Sequence, residues 1–183
     1  MIAEILERIF NEKKLIGLKT NMIENDESII GFLTDVSEIS IKINEIDEYG
    51  FFIGNTIIEI NDIVSIEMDD RYQMRLKFIH DNYNQLRPND RITVWQEGYK
   101  LIPYFNEILS NKHLTTFYLG NDNYVTGFLS KINDTQIEIN NIGGEGDEDG
   151  VSYHLIQNLT GLRFNGLEEQ KIKLLYDNRK LFQ

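Results

Sequence analysis

A self-match at a fixed spacing constrains this chain more than any other feature of its sequence. Gly31-Phe32-Leu33 recurs 96 residues on as Gly127-Phe128-Leu129. At the same offset Leu18 falls on Leu114, Thr20 on Thr116 and Asp26 on Asp122. Further along, Ile41, Ile43, Asn44 and Ile46 fall on Ile137, Ile139, Asn140 and Ile142, and Gly50 and Gly54 on Gly146 and Gly150. Lys77, Asp81 and Asn82 fall on Lys173, Asp177 and Asn178. Chance matches scatter, whereas these keep register and retain apolar, glycine and turn positions together, so the chain reads as one duplicated domain.

Each copy opens with an amphipathic helix. Ile2, Ile5, Leu6, Ile9 and Phe10 recur at helical spacing, as do Leu101, Ile102, Phe105, Ile108 and Leu109. Trp95 is expected to begin the second of these helices and to pack between the domains. Five short strands follow: KLIGLKTN, an Asn-Asp turn, SIIGFLTDV and EISIKIN, then a Gly-rich connection, TIIEI and IVSIEM. Ile39, Ile41 and Ile43 alternate with Ser40 and Lys42, the period of a half-buried strand. The end of each copy fits a helix or a strand. Glu168 and Glu169 near its start and bases further on suit the helix macrodipole, so a helix is preferred. These elements predict a mainly β chain with flanking helices, an α+β fold of two tandem five-stranded SH3-like or Sm-like barrels. Residues 1–82 form the first, 83–94 a linker and 95–183 the second.

The segments IIGFLTDVSEISIKI and VTGFLSKINDTQIEI carry a recognisable pattern: Ile29, Gly31, Leu33, Val36, Ile41 and Ile43, repeated as Val125, Gly127, Leu129, Ile132, Ile137 and Ile139. This pattern resembles the first motif of the Sm/LSm family. In that family an Asp and an Asn of the first motif and an Arg-Gly of the second form a uridine pocket. Here Ser37 or Asn133 stands near the Asp position, Ile41 or Ile137 takes the Asn position, and TIIEINDIVSIE and SYHLIQNLTGLR lack the Arg-Gly. The resemblance therefore implies the barrel and not the RNA pocket.

Composition narrows the chemistry. No cysteine is present, which excludes disulfides, thiol catalysis and cysteine metal sites and fits a cytoplasmic setting. No apolar run is long enough to span a membrane, and the N-terminal stretch is not a signal peptide. With 30 acidic against 18 basic residues the net charge is −12, which opposes phosphate binding. Residues 1–90 carry 18 acids and nine bases. Arg71, Arg75, Lys77, Lys171 and Lys173 are the candidates for an RNA contact, the bland alternative being a solvated helix face. The acidic loop 145–150 alternates carboxylates like a calcium loop, but Ile156 stands where the closing Glu belongs. His80, His113 and His154 form no catalytic motif, and small barrels are expected to offer little concave volume.

A non-enzymatic cytoplasmic interaction or adaptor protein is the leading expectation, ahead of an RNA-binding Sm-like regulator and of an enzyme of unknown type. No cofactor is expected, and the partner is an unidentified protein or a second copy. Tyr49, Phe51 and Phe52 are the candidate contact, because the second copy has Glu145, Asp147 and Glu148 in their place. The competing reading has Phe51 and Phe52 plugging the end of their own barrel.

Overall fold

The computed structural model describes residues 2–21, 28–120 and 122–182. Two compact units divide the chain, Met1–Tyr83 and Asn84–Gln183. The first contains α1 (Ile2–Glu12), β1 (Leu15–Thr20), β2 (Ile29–Val36), β3 (Ser40–Ile46), β4 (Phe52–Glu59), β5 (Ile63–Met68) and α2 (Arg71–Asp81). The second contains β6 (Ile92–Val94), α3 (Ile102–Asn111), β7 (Leu114–Gly120), β8 (Asn123–Ile132), β9 (Gln136–Ile142), β10 (Glu148–Leu155), β11 (Gly161–Phe164) and α4 (Leu167–Asp177). Each unit has one antiparallel sheet, ordered β4-β3-β2-β1-β5 and β10-β9-β8-β7-β11-β6. The fold is mixed α+β. Among the described residues no ladder joins β4 to β5 or β10 to β11, so hydrogen bonding closes neither sheet into a ring.

Apolar periodicity explains the layers. Leu6 and Ile9 of α1 bury fully against Ile16, Leu18, Leu33, Ile41 and Ile43. In the second unit Phe105 and Ile108 of α3 bury with Phe117, Leu129, Ile137 and Ile139. A separate apolar cluster includes Leu76 of α2 with Leu15 and Ile46, matched by Ile172 of α4 with Leu114 and Ile142. β1 therefore buries side chains on both faces, which is why LIGLKT lacks the alternation of a half-buried strand. The doubtful C-terminal segments are helices. Asp70 caps α2 by accepting from the Gln73 amide at 2.7 Å, satisfying a donor at the helix start.

The two units match in several local details. An ideal Cβ at Gly31 would lie 2.2 Å from the Asn44 carbonyl oxygen, and one at Gly127 would lie 2.3 Å from that of Asn140. Strand register shifts just after each, between Leu33 and Asp35 and between Leu129 and Lys131. Gly50 and Gly146 share φ values of +78° and +77°, and each lies where a Cβ would meet the last turns of α2 or α4 at 2.7 Å.

Three expectations need correcting. The uniform offset of 96 fails before β2. Leu15 pairs with Phe32 and Leu114 with Phe128, so Leu114 is the counterpart of Leu15, not of Leu18, and Thr116 is the counterpart of Gly17, not of Thr20. The spacing is 99 in the helix and first strand, because the first copy's β1–β2 connection holds three more residues. A hairpin loop takes up such a change at small entropic cost, while the ladder preserves side-chain facing. The predicted Asn25-Asp26 turn and the Asp26 match lie outside the described residues. The second correction concerns residues 83–94, expected as linker. Ile92–Val94 instead forms β6, pairing with β11 from Leu162 to Phe164. Trp95 does not start a helix; α3 begins at Ile102, with Pro103 in its first turn, where a missing N–H costs nothing.

Gly31→Ala or Gly127→Ala is expected to lower unfolding free energy by about 2–3 kcal/mol, because a Cβ there forces the neighbouring strand to shift. Gly54→Ala, with open space around it, should change it by under about 0.5 kcal/mol. Urea unfolding of the three variants checks this.

Candidate functional site

Each unit has an open cleft of about 500 Å³, contrary to the small concave volume expected of such a fold. The clefts occupy equivalent places, where the C-terminal end of the first helix, the second strand and the C-terminal half of the last helix meet. In the first unit Phe10, Lys13, Phe32, Lys77, His80 and Asp81 line it. In the second, the counterparts are Leu109, Lys112, Phe128, Lys173, Tyr176 and Asp177.

Local folding rules place these groups. Lys13 and Lys112 follow the helices in the left-handed region, both at φ +51°, where the chain turns into the first strand. Such a turn favours Gly or Asn, yet both copies hold lysine. Lys77 binds Asp81 at 2.7 Å and Lys173 binds Asp177 at 2.6 Å, ion pairs four residues apart on a helix. Lys13 and Lys112 make no ion pair among the described residues. Phe32 lies 4.9 Å from the ring of His80, and Phe128 lies 5.1 Å from that of Tyr176. His80 Nδ1 donates to the Gly50 carbonyl at 2.7 Å, which fixes the ring over the cleft.

The aromatic candidates separate. Phe52 lines the first cleft, its ring 4.9 Å from His80 and 6.4 Å from Phe32, while 55% of the residue stays exposed. Phe51 is half-buried with its ring 5.8 Å from Tyr83, and Tyr49 is half-buried in the turn that Asp47 organises by accepting from the Tyr49 and Phe51 amides. Both phenylalanines thus contact their own unit. Glu148 replaces Phe52 in the second unit, where Arg179 donates to it at 3.2 Å and Tyr176 at 3.4 Å. Ring packing in one copy has become an ionic contact in the other. That partnership also removes Glu148 from the loop expected as a possible cation site, and among the described residues no group of carboxylates and histidines is arranged to hold a metal ion.

The five basic candidates do not line up as an exposed stripe. Arg75 and Lys171 are buried, Lys171 with its ammonium 2.9 Å from Glu168. Lys77 and Lys173 are held by their aspartates, and of the five only Arg71 is exposed. Trp95 is 66% exposed, its ring 4.6 Å from Tyr118.

Sequence reasoning missed a polar cluster under α4. Glu169, 1% exposed, accepts from Arg163 Nε and Nη2 at 2.9 Å and from the Thr116 hydroxyl at 2.5 Å, and Thr116 shares a hydrogen bond with Thr126. Glu169 Oε2 has no partner among the described residues. A cavity of about 380 Å³ opens beside the cluster, lined by Thr116, Thr126, Arg163, Glu168 and Tyr118. The first copy has Gly17, Ile30, Glu67 and Gln73 at the positions of Thr116, Thr126, Arg163 and Glu169. Aligning Thr116 with Thr20 hid this difference; only strand register reveals it.

His113 is stacked on Phe164 at 5.0 Å, and His154 bonds Ser152 Oγ through Nε2 at 2.9 Å. Burial pushes both imidazoles below their ordinary value, Glu107 opposing and Lys173 reinforcing the shift at His113.

No family model matches the chain, and no curated protein does. Among solved structures the chain is similar to the structure of K. pneumonia MrkH in its apo state, at 11% identity, with 100% of this chain and 94% of that chain covered and a TM-score of 0.20. A score that low shows no shared fold.

Two measurements follow from these contacts. Arg163→Met leaves the Glu169 carboxylate buried without its cation and should cost about 3 kcal/mol, at the low end for a broken buried pair because the arginine side chain is 28% exposed. Adding Glu169→Leu should restore most of it in urea unfolding. His113 and His154 bind protons less readily folded than unfolded, so stability is retained above pH 6.5 and falls as pH drops below it. His113→Gln with His154→Gln should flatten the dependence of the urea midpoint on pH between about 7 and 5.

Proposed function

We propose that the chain is a non-enzymatic cytoplasmic interaction protein, built from two SH3-like or Sm-like barrels each left open beside its fourth strand, and that the first unit recruits a partner by strand addition at β4. The barrel reading is supported by the order of each sheet, in which the fifth strand returns to lie beside the first, and by the one-turn 3-10 helix joining the last two strands of both copies. The two bent strands at Gly31 and Gly127 suit the curvature of a small barrel.

One observation carries the functional reading. β4 ends its sheet, and Phe52, Ile53 and Ile57 on it are 55%, 62% and 72% exposed. Phe51 through Ile58 contain no charged residue and no proline, in a chain of net charge −12. Edge strands are ordinarily guarded by charge, proline or a bulge, because their unpaired amides and carbonyls template another strand. The one register shift of β4 lies at its start, between Phe52 and Gly54. The regular apolar edge from Gly54 to Ile58 suits an extended segment of another protein, apolar at alternate positions and flanked by bases that complement the acidic first half. His80 bonded to Gly50, His113 stacked on Phe164 and His154 bonded to Ser152 serve packing.

Hydrogen exchange of the protein isolated with its native partner should show β4 amides protected in the complex and open in the free chain. Ile53→Lys with Ile57→Lys should weaken that complex by about a hundredfold or more while leaving the unfolding midpoint unchanged. Equal exchange in both states overturns the assignment, as does a dimer of the chain alone that the double variant dissociates.

A further inference from the structure

We propose that each of the two equivalent clefts binds a small aromatic carboxylate, so that one chain takes up two. The proposal is independent of strand addition at β4.

Duplication supplies the first argument. The two copies have exchanged Phe52 for Glu148, Gly17 for Thr116 and Gln73 for Glu169, so they have had ample room to diverge. The cleft nevertheless persists at the same place and size. Burial explains the retention of the underlying core leucines, Leu33 and Leu129. It does not explain a solvent-exposed lysine at the mouth of both clefts in a backbone conformation that costs a side chain strain and that glycine adopts freely.

Charge supplies the second. Each cleft holds two lysines against one aspartate, a local excess of positive charge in a chain carrying −12 overall. Asp81 and Asp177 already engage Lys77 and Lys173. The ammonium left over in each cleft is that of Lys13 or Lys112, which suits one carboxylate or similar anion. His113 beside the second cleft adds no positive charge at neutral pH, since burial lowers its affinity for protons.

Shape and surface supply the third. A volume of about 500 Å³ lies within the range of small-molecule sites, which are largely apolar with a few polar anchors. The Phe32–His80 pair in one cleft and the Phe128–Tyr176 pair in the other present ring faces and edges to a planar body. An aromatic acid would stack its ring there and direct its carboxylate to the lysine at the mouth.

The probe is 2-naphthoate, titrated calorimetrically into the full chain, with neutral 2-naphthamide as comparison. Two sites per chain are expected, with the amide at least tenfold weaker. Lys13→Gly and Lys112→Gly should each remove one of the two sites, weakening it by about tenfold or more, and Lys180→Gly should change neither. Glycine is favoured in the left-handed turn, so both cleft variants should melt no lower than the parent, and a lost site cannot be attributed to unfolding. Saturation at other than two equivalents, equal binding of the amide, unchanged affinity in the glycine variants, or no binding up to 5 mM naphthoate would each overturn the proposal.

Discussion

The first strand of each copy is buried from both sides, and the rest of the unit depends on that. Ile16 and Leu18 pack with the opening helix, while Leu15 joins Leu76 of the closing helix and Ile46. Leu114, Ile172 and Ile142 repeat the second contact in the other copy. Removing one buried leucine or isoleucine from such a site costs about 2–5 kcal/mol, a large part of what holds a domain together. Because both helices must meet one central strand, their ends converge beside the second strand. The cleft is the space left where the ends of both helices approach the second strand, in the interior of the sheet.

Divergence between the copies followed the same constraint. Positions serving strand curvature or close helix approach, Gly31 with Gly127 and Gly50 with Gly146, have stayed alike because no side chain fits there. The ion pairs Lys77–Asp81 and Lys173–Asp177 are also alike. Change is concentrated where one polar or apolar set can replace another as a whole. Phe52 against Phe32 and His80 became Glu148 against Tyr176 and Arg179, and Gly17 beside Gln73 became Thr116 bonded to Glu169. The second swap leaves one buried oxygen unpartnered in each copy, Gln73 Oε1 in one and Glu169 Oε2 in the other, so neither copy gains a fully satisfied site over its counterpart.

Much of the fold was legible in one sequence because periodicity reports burial directly. Ile2, Leu6 and Ile9 mark a helix, and Ile41 with Ile43 a strand whose partners then follow from register. The β6 strand was not legible. Three residues, Ile92–Val94, carry too little pattern to stand out from a segment rich in Asn and Asp, and their pairing with β11 is a contact nearly seventy residues away in sequence. Trp95 misled for a related reason, since a large aromatic next to an amphipathic run looks like its first buried residue, yet it lies exposed against Tyr118.

Sequence alone determined that the chain holds two stretches of like pattern, which residues form their helices and most of their strands, and that cysteine chemistry is excluded. Those properties are local or repeat at fixed spacing, so a linear string carries them. Tertiary structure decided the rest: the shift from 96 to 99 in the equivalence, the meeting of Thr116, Arg163 and Glu169, the pairing of Lys77 and Lys173 with their aspartates, and the twin clefts with a lysine at each mouth. Where a hairpin absorbs three residues without disturbing its ladder, sequence spacing no longer measures distance, and only the ladder shows which side chains share a face.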